Sequence, residues 1–181
     1  MEWKNTQAGY GSFSVAFHWL MLLLMIAVYA SMEFKSVFPK GSASREAMAT
    51  WHYTLGLCVF FFVWLRLLAR CSGTAPAIEP ALPDWQTVSA KAMHWVLYAL
   101  MIGLPVLGWL TLNAKGTPVT FLGAELPALI GTSKSVAKWL KEIHETGATA
   151  GYVLIGSHAA AALYHHYIRR DNTLRLMWPG R

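Results

Sequence analysis

Four long apolar runs constrain this chain more than any other feature of its sequence. Each run is about 20 residues long, enough for a helix to cross a hydrocarbon layer about 30 Å thick. Lipid offers no partner for backbone N–H and C=O groups, so such runs must be helical. The sequence therefore predicts an all-α integral membrane four-helix bundle. We expect a single domain over residues 1–181, with helices at approximately 13–33, 47–70, 92–113 and 143–168.

The composition agrees with lipid as the surrounding solvent. Hydrophobic residues make up 55% of the chain and charged residues only 13%, whereas soluble domains carry about a quarter charged residues. The net charge of +6 would suggest nucleic acid in a soluble protein. Here the basic residues flank the apolar runs, which is the pattern of membrane topology. We therefore expect the lipid bilayer, and no nucleic acid, as a partner.

The charged flanks decide the orientation only weakly. With a cytoplasmic N-terminus, eight basic residues fall on the inner side and seven on the outer side. The arginine-rich C-terminal end favours a multi-pass arrangement with both termini in the cytoplasm. We read the first apolar run as an uncleaved helix, because it is longer than the apolar stretch of a typical signal peptide.

The seven histidines are the strongest functional signal. Ionisable residues within membrane spans are costly and usually functional. His144 and His158 are fourteen residues apart, so on one helix they share a face to within about 40° and lie about 21 Å apart along the axis. This pattern favours two ligands for two stacked flat macrocycles. The alternative is a packed face of small residues with two hydrogen-bonded histidines.

Helix depth pairs these histidines with two others. If the helices alternate in direction, His18 lies near the inner side and His52 near the outer side, which predicts the pairs His52/His144 and His18/His158. Gly56, one turn after His52, would leave room for a flat ring. Two imidazoles fill both axial positions of an iron, which suits electron transfer rather than oxygen binding. We therefore predict two b-type haems with these four axial ligands.

Further polar residues toward the inner side have two interpretations. They could bind haem propionates or a quinone, since guanidinium groups form strong forked bonds with carboxylates. They could equally be ordinary interfacial residues. One of the histidines also competes with His18 as a ligand, because it lies near the inner end of its own helix. The residues are Arg66, Arg70, His94 (the competitor), His165 and His166.

Several motifs resemble those of the bacterial cytochrome b561 family. The segment HAAAALYHHYIRRDNTLRLMWP, at His158–Pro179, is similar to the C-terminal signature of that family. F-H-W-L at Phe17–Leu20, M-E-F at Met32–Phe34 and H-E-T at His144–Thr146 add to the likeness. The resemblance covers nearly the whole chain. It implies a four-helix, di-haem cytochrome of the bacterial inner (plasma) membrane, with ligands at His18, His52, His144 and His158.

Within that family, the resemblance is strongest to a member that acts as a superoxide oxidase. It implies an oxidoreductase that oxidises superoxide to dioxygen on the periplasmic side and passes electrons to ubiquinone near the cytoplasmic side. A cationic outer mouth would raise the encounter rate of superoxide, although a solvated basic loop explains the same lysines equally well. These lysines are Lys115, Lys134, Lys138 and Lys141.

Two alternatives belong to other functional classes. The chain could be a passive haem subunit that carries electrons between quinol and a partner oxidoreductase or periplasmic protein. In the enzyme interpretation, a protein partner is not required. A haem-free four-helix transporter is disfavoured by the matched depths of the histidine pairs.

Overall fold

The computed structural model describes residues 2–179, and most of them are helical. The long helices are α1 (Ser12–Val37), α2 (Ala43–Cys71), α3 (Asp84–Ala114) and α4 (Lys134–Tyr164). A π-helical turn, His165–Arg169, follows α4 directly and leads to the short helix α5 (Thr173–Leu176). Strands β1 (Val119–Phe121) and β2 (Ala124–Leu126) form an antiparallel hairpin between α3 and α4 in the sequence.

Capping residues, not hydropathy, set the starts of the later helices. The apolar run of α3 begins at residue 92, but the helix begins at Asp84, directly after Pro83. Pro83 is the N-cap of this helix, since its carbonyl oxygen accepts hydrogen bonds from the N–H groups of Gln86 and Thr87 at 3.0 and 3.2 Å. At the start of α4, the Ser133 hydroxyl accepts a hydrogen bond from the Val136 N–H at 3.4 Å, as N-cap residues do.

The β1–β2 hairpin is a departure from the all-α prediction. Its strands have three residues each, too short for an alternating pattern to be recognised in the sequence. The connecting residues, Leu122 and Gly123, have φ angles of 51° and 84°. Positive φ at both central residues matches the twist of a tight hairpin. Glycine adopts this conformation readily, but leucine rarely does, so the turn was not apparent from its residues.

Three helices within residues 2–179 are long and apolar enough to cross a membrane, namely α1, α2 and α3. Helix α4 is also 31 residues long, but its first three turns carry several charged side chains. A membrane crossing by α4 therefore stays a prediction.

The chain divides into two compact units. The first unit comprises the residues up to Met21, Phe62–Ala99 and the residues from Ala150 onward. The second unit comprises Leu22–Phe61 and Leu100–Thr149. Each of the four long helices contributes residues to both units. The single domain expected from the sequence stays a prediction.

In the first unit, the residues before α1 are tied to the end of α2. The side chain of Asn5 is buried. Its Nδ2 donates to the carbonyl oxygen of Ala69 at 3.2 Å, and its Oδ1 accepts from the Ser14 hydroxyl at 2.7 Å. Buried amides need such partners, because an unpaired one costs about 1–3 kcal/mol.

The residues after α4, 165–179, fold back within the first unit and are called the C-terminal cap below. The indole Nε1 of Trp19 donates to the carbonyl oxygen of Met177 at 2.7 Å. Asn172 is anchored through both its backbone and its side chain, since its N–H donates to the Glu79 oxygen and its Oδ1 accepts from the Glu79 N–H. The Asn172 Nδ2 also donates to the oxygen of Ala77 at 3.2 Å.

In the second unit, the hairpin packs on α2 and α3. Val119 is buried together with Leu57 and Leu112, and the ring of Phe121 lies 5.0 Å from that of Phe61. Burying side chains of this size stabilises a fold by about 1.5–3 kcal/mol each. The hairpin is therefore part of the hydrophobic core of this unit.

Candidate functional site

The second unit places His52, on α2, against His144, on α4. Their ring centroids are 6.1 Å apart and the ring planes cross at 78°. The Nδ1 atom of His52 lies 3.2 Å from the backbone oxygen of Val28, and that of His144 lies 2.9 Å from the oxygen of Leu104. A carbonyl only accepts hydrogen bonds, so each Nδ1 must carry the proton. Both Nε2 atoms are then left as the metal-binding nitrogens.

The first unit places His18, on α1, against His158, on α4. Their ring centroids are 6.3 Å apart and the planes cross at 69°. A third ring, that of His94 on α3, lies 5.5 Å from His158. Within residues 2–179, the rings of His18 and His158 have no hydrogen bond to the backbone of the kind that holds the other pair.

The spacing of both pairs fits one iron between two imidazoles. A metal–imidazole bond is about 2.0 Å long and the bonded nitrogen lies roughly 1.1 Å from its ring centre, so two trans ligands have centroids about 6.2 Å apart. The observed 6.3 Å and 6.1 Å match this value. The 5.5 Å between His94 and His158 is too short for it. His94 therefore fits a neighbour of the first pair better than a ligand.

The surroundings of the pairs also suit a flat macrocycle. A Cβ atom added at Gly56, one turn after His52, would meet no atom within 4 Å. Residues 2–179 contain no cluster of three or more His, Cys, Asp or Glu side chains that could hold a metal ion. Two imidazoles alone leave most coordination positions of an iron open. A porphyrin, which supplies four nitrogens of its own, would complete them.

Comparison with known proteins agrees with this geometry. The family model for prokaryotic cytochrome b561 matches residues 9–180. The chain belongs to this family. The protein is therefore a membrane electron-transfer protein of a family that binds b-type haem.

Individual relatives cover almost the whole chain. Cytochrome b561 homolog 1 of Escherichia coli (strain K12) is 40% identical over 164 residues, which are 91% of this chain and 93% of the relative. The probable superoxide oxidase CybB of Yersinia pestis is 32% identical over 170 residues, 94% of this chain and 96% of the relative. Cytochrome b561 homolog 2 of Escherichia coli (strain K12) is 27% identical over 178 residues, which are 98% of this chain and 95% of the relative.

Arg66 brings a positive charge to the histidine pair of the first unit. It is close enough to His18 and His158 for its charge to act on both rings, and its guanidinium lies 5.7 Å from the ring centroid of Tyr98. The Nε atom of Arg66 is shielded from solvent and has no hydrogen-bond partner within residues 2–179. An unpaired buried donor is costly, so the site fits an anionic group such as a haem propionate. Arg70, one turn later, acts on His94.

His165 and His166 begin the C-terminal cap and have different surroundings. The Nδ1 atom of His165 is hydrogen-bonded to Oδ2 of Asp171, whose side chain is fully buried. His166 packs its ring 4.8 Å from that of Tyr167. The sequence interpretation missed Asp171. One sequence feature could have identified it. Asp171 is the one acidic residue after Glu145, and it follows His165 by six positions.

The four candidate lysines line one groove of the second unit, with a volume of about 590 Å³. Three of them follow a helical spacing on the first turns of α4, and the fourth comes directly after α3. Two of them form exposed ion pairs, Lys138 with Glu142 at 3.9 Å and Lys141 with Glu145 at 2.8 Å. The groove also includes Thr132 and Ser133. The lysines are Lys115, Lys134, Lys138 and Lys141.

Proposed function

We propose that this protein is a superoxide:ubiquinone oxidoreductase with two haem b groups. The observation that carries this proposal is the pair of facing histidine sets at the spacing of bis-imidazole iron, His52/His144 and His18/His158. A relative named as a probable superoxide oxidase, at 32% identity, supports the choice of substrate. In this proposal α4 is the fourth membrane span, and the protein lies in the bacterial inner membrane with both termini in the cytoplasm.

The histidines determine which chemistry the site can perform. Haem, when bound, supplies one-electron chemistry of its iron. The two histidine pairs would hold the haem groups, and ligation by two imidazoles suits electron transfer rather than binding of small molecules at the iron. The backbone bonds of His52 and His144 hold these rings in one tautomer and orientation, ready to ligate a haem through Nε2.

The lysine groove gathers the anionic substrate in this proposal. Superoxide carries one negative charge, and a cleft lined by cations raises the local concentration and on-rate of an anion. The groove lies in the second unit, which also holds the pair His52/His144. Each superoxide loses one electron and leaves as neutral dioxygen, which the cationic groove does not retain.

The first unit takes the role of the quinone side. Two superoxide ions, one ubiquinone and two protons give two dioxygen molecules and one ubiquinol, so the charges and atoms balance. The protons come from the cytoplasmic side. Cationic and imidazole groups suit a quinone head group, because they donate hydrogen bonds to its oxygens. The candidates remain Arg66, Arg70, His94, His165 and His166.

The first test is a spectrum of the purified protein. We would quantify haem per chain and record the reduced-minus-oxidised difference spectrum. Superoxide and then a short-chain ubiquinone would be added. Two haems per chain, reduced rapidly by superoxide and reoxidised by ubiquinone, are expected. Two haems that do not respond to superoxide would contradict the enzyme and favour a passive carrier between quinol and a partner protein.

A further inference from the structure

The C-terminal cap holds a buried carboxylate against an imidazole. The side chain of Asp171 has no exposed surface, whereas that of His165 is 15% exposed. Oδ2 of Asp171 is hydrogen-bonded to Nδ1 of His165, and Oδ1 accepts from the backbone N–H of Thr173 at 3.0 Å. The Nε atom of Arg169 lies 3.8 Å from Oδ2. The imidazole thus reaches solvent, while the carboxylate does not.

The backbone is folded to make this contact. The π-helical turn His165–Arg169 ends at Arg170, whose φ of 58° is in the left-handed region. The N–H of Asp171 then donates to the carbonyl oxygen of His165 at 3.2 Å. Positive φ is uncommon for a residue other than glycine. The turn therefore places residue 171 next to residue 165 at some conformational cost.

Asp171 stays ionised in this setting. Burial by itself would raise the pKa of its carboxyl group, but the hydrogen bonds from His165 and Thr173 outweigh burial and lower that pKa. A carboxylate accepts hydrogen bonds and cannot donate them. Nδ1 of His165 must therefore carry a proton, and its Nε2 is the nitrogen that exchanges protons with other molecules.

His165 also lies on a particular face of the helix. It follows His158 by seven residues. Seven helical steps close to within about 20° of two whole turns and advance about 10 Å. His165 therefore lies on the same side as the iron ligand of the first unit, about two turns farther along, where it borders solvent.

We propose that Asp171 is a positioning residue that makes His165 the proton donor to the quinone, an inference that rests on the proposed function. Each electron that reaches the quinone is matched by one proton from Nε2 of His165. The imidazole then takes a new proton from the cytoplasmic water phase. Two such transfers form the two O–H bonds of ubiquinol. Asp171 fixes the tautomer and the orientation of the imidazole through both transfers.

The test follows haem reoxidation and does not depend on superoxide. The holoprotein is reduced chemically and mixed with a short-chain ubiquinone, and reoxidation is followed in H2O and D2O. Asp171→Asn and His165→Gln should each slow reoxidation by about tenfold or more, with a larger solvent isotope effect and unchanged haem content. The double variant should lose no more than either single variant, because the two residues act as one unit.

Asn172→Ala is the matched control. It removes the side-chain hydrogen bonds of Asn172 to the Ala77 oxygen and from the Glu79 N–H, and it alters neither partner of the His165–Asp171 contact. It should therefore react like the wild type. Nitrogen-15 spectra of labelled histidine give a second measurement, with the His165 signal assigned by its loss in His165→Gln. The wild type should show one fixed tautomer, and Asp171→Asn a mixture.

Three results would overturn the inference. Wild-type rates in Asp171→Asn would show that no positioning is needed. An equal slowing in Asn172→Ala would show that only the integrity of the cap matters. If ubiquinone did not reoxidise the haem of the wild type, ubiquinone would not be the electron acceptor, and His165 could not be its proton donor. If superoxide failed to reduce the wild type, superoxide would be excluded as the electron donor. The reoxidation assay would still test His165 as the proton donor, because it starts from chemically reduced protein.

Discussion

The histidine pairs of the two units are similar in spacing but differ in what surrounds them. In the second unit, backbone oxygens of Val28 and Leu104 hold His52 and His144. Such bonds increase electron donation by the ligand and so favour oxidised iron. In the first unit, the half-buried charge of Arg66 acts on the pair, and a nearby cation favours reduced iron. In the proposed function, the two sites would therefore differ in redox potential although their ligands have similar spacing, and the haem of the first unit would have the higher potential.

The largest expected effect comes from removing one ligand of each pair. His144→Ala should lose the haem of the second unit and His158→Ala that of the first, because each iron then keeps one axial imidazole. Haem content per chain, measured as the pyridine complex, should fall by half in each variant. His94→Ala is the control and should keep both haems. If His94→Ala lost haem and His18→Ala did not, His94 rather than His18 would be the ligand that pairs with His158.

Arg66→Gln tests the electrostatic difference between the units. Removing this half-buried positive charge should lower the potential of one haem by on the order of 60 mV, which is tenfold in a one-electron equilibrium, and leave the other unchanged. A redox titration followed at the haem absorption bands measures both. Lys91→Gln, an exposed site in the same unit, is the control. An equal shift in the potentials of both haems would show that the charge of Arg66 does not distinguish the two units.

The lysine groove should give a smaller, salt-dependent effect. Changing Lys134, Lys138 and Lys141 together to glutamine should slow haem reduction by superoxide about tenfold at low ionic strength, because electrostatic steering is lost. The difference should disappear as salt is added, since charges are screened over about 8 Å at physiological ionic strength. Lys40→Gln removes an exposed lysine outside the groove and should have little effect. A wild-type rate that is insensitive to salt would contradict steering.

The smallest effect concerns acid and the C-terminal cap. The pKa of Asp171 is below its ordinary value of 3.8, so its stabilising contribution is present above that value and is lost as the pH falls through the folded-state pKa. Pepsin cleavage of the cap should therefore accelerate between about pH 5 and pH 2. Asp171→Asn should lack this step, and cleavage at the β1–β2 hairpin serves as the internal reference. The same acid step in the variant would contradict this assignment.

The sequence predicted what depends on long-range patterns. Apolar length located α1, α2 and α3, and helical spacing with alternating direction predicted the histidine partners that the structure places 6.1 Å and 6.3 Å apart. Local backbone conformation was not predictable in this way. The pairing of His165 with Asp171 needs a π-helical turn and a left-handed arginine, neither of which has a residue signature. The backbone oxygens that hold His52 and His144 likewise leave no trace in side-chain identity.

The hydrogen bonds from His144 to the Leu104 oxygen and from His52 to the Val28 oxygen also bear on mutational robustness. A carbonyl oxygen is present whatever side chain the residue carries, so substitutions at positions 28 and 104 that preserve the helices leave these bonds intact. The charge beside His18 and His158, in contrast, belongs to a single arginine side chain. The backbone bonds of the second unit are therefore buffered against sequence drift, whereas one substitution at position 66 removes the charge that acts on the first pair.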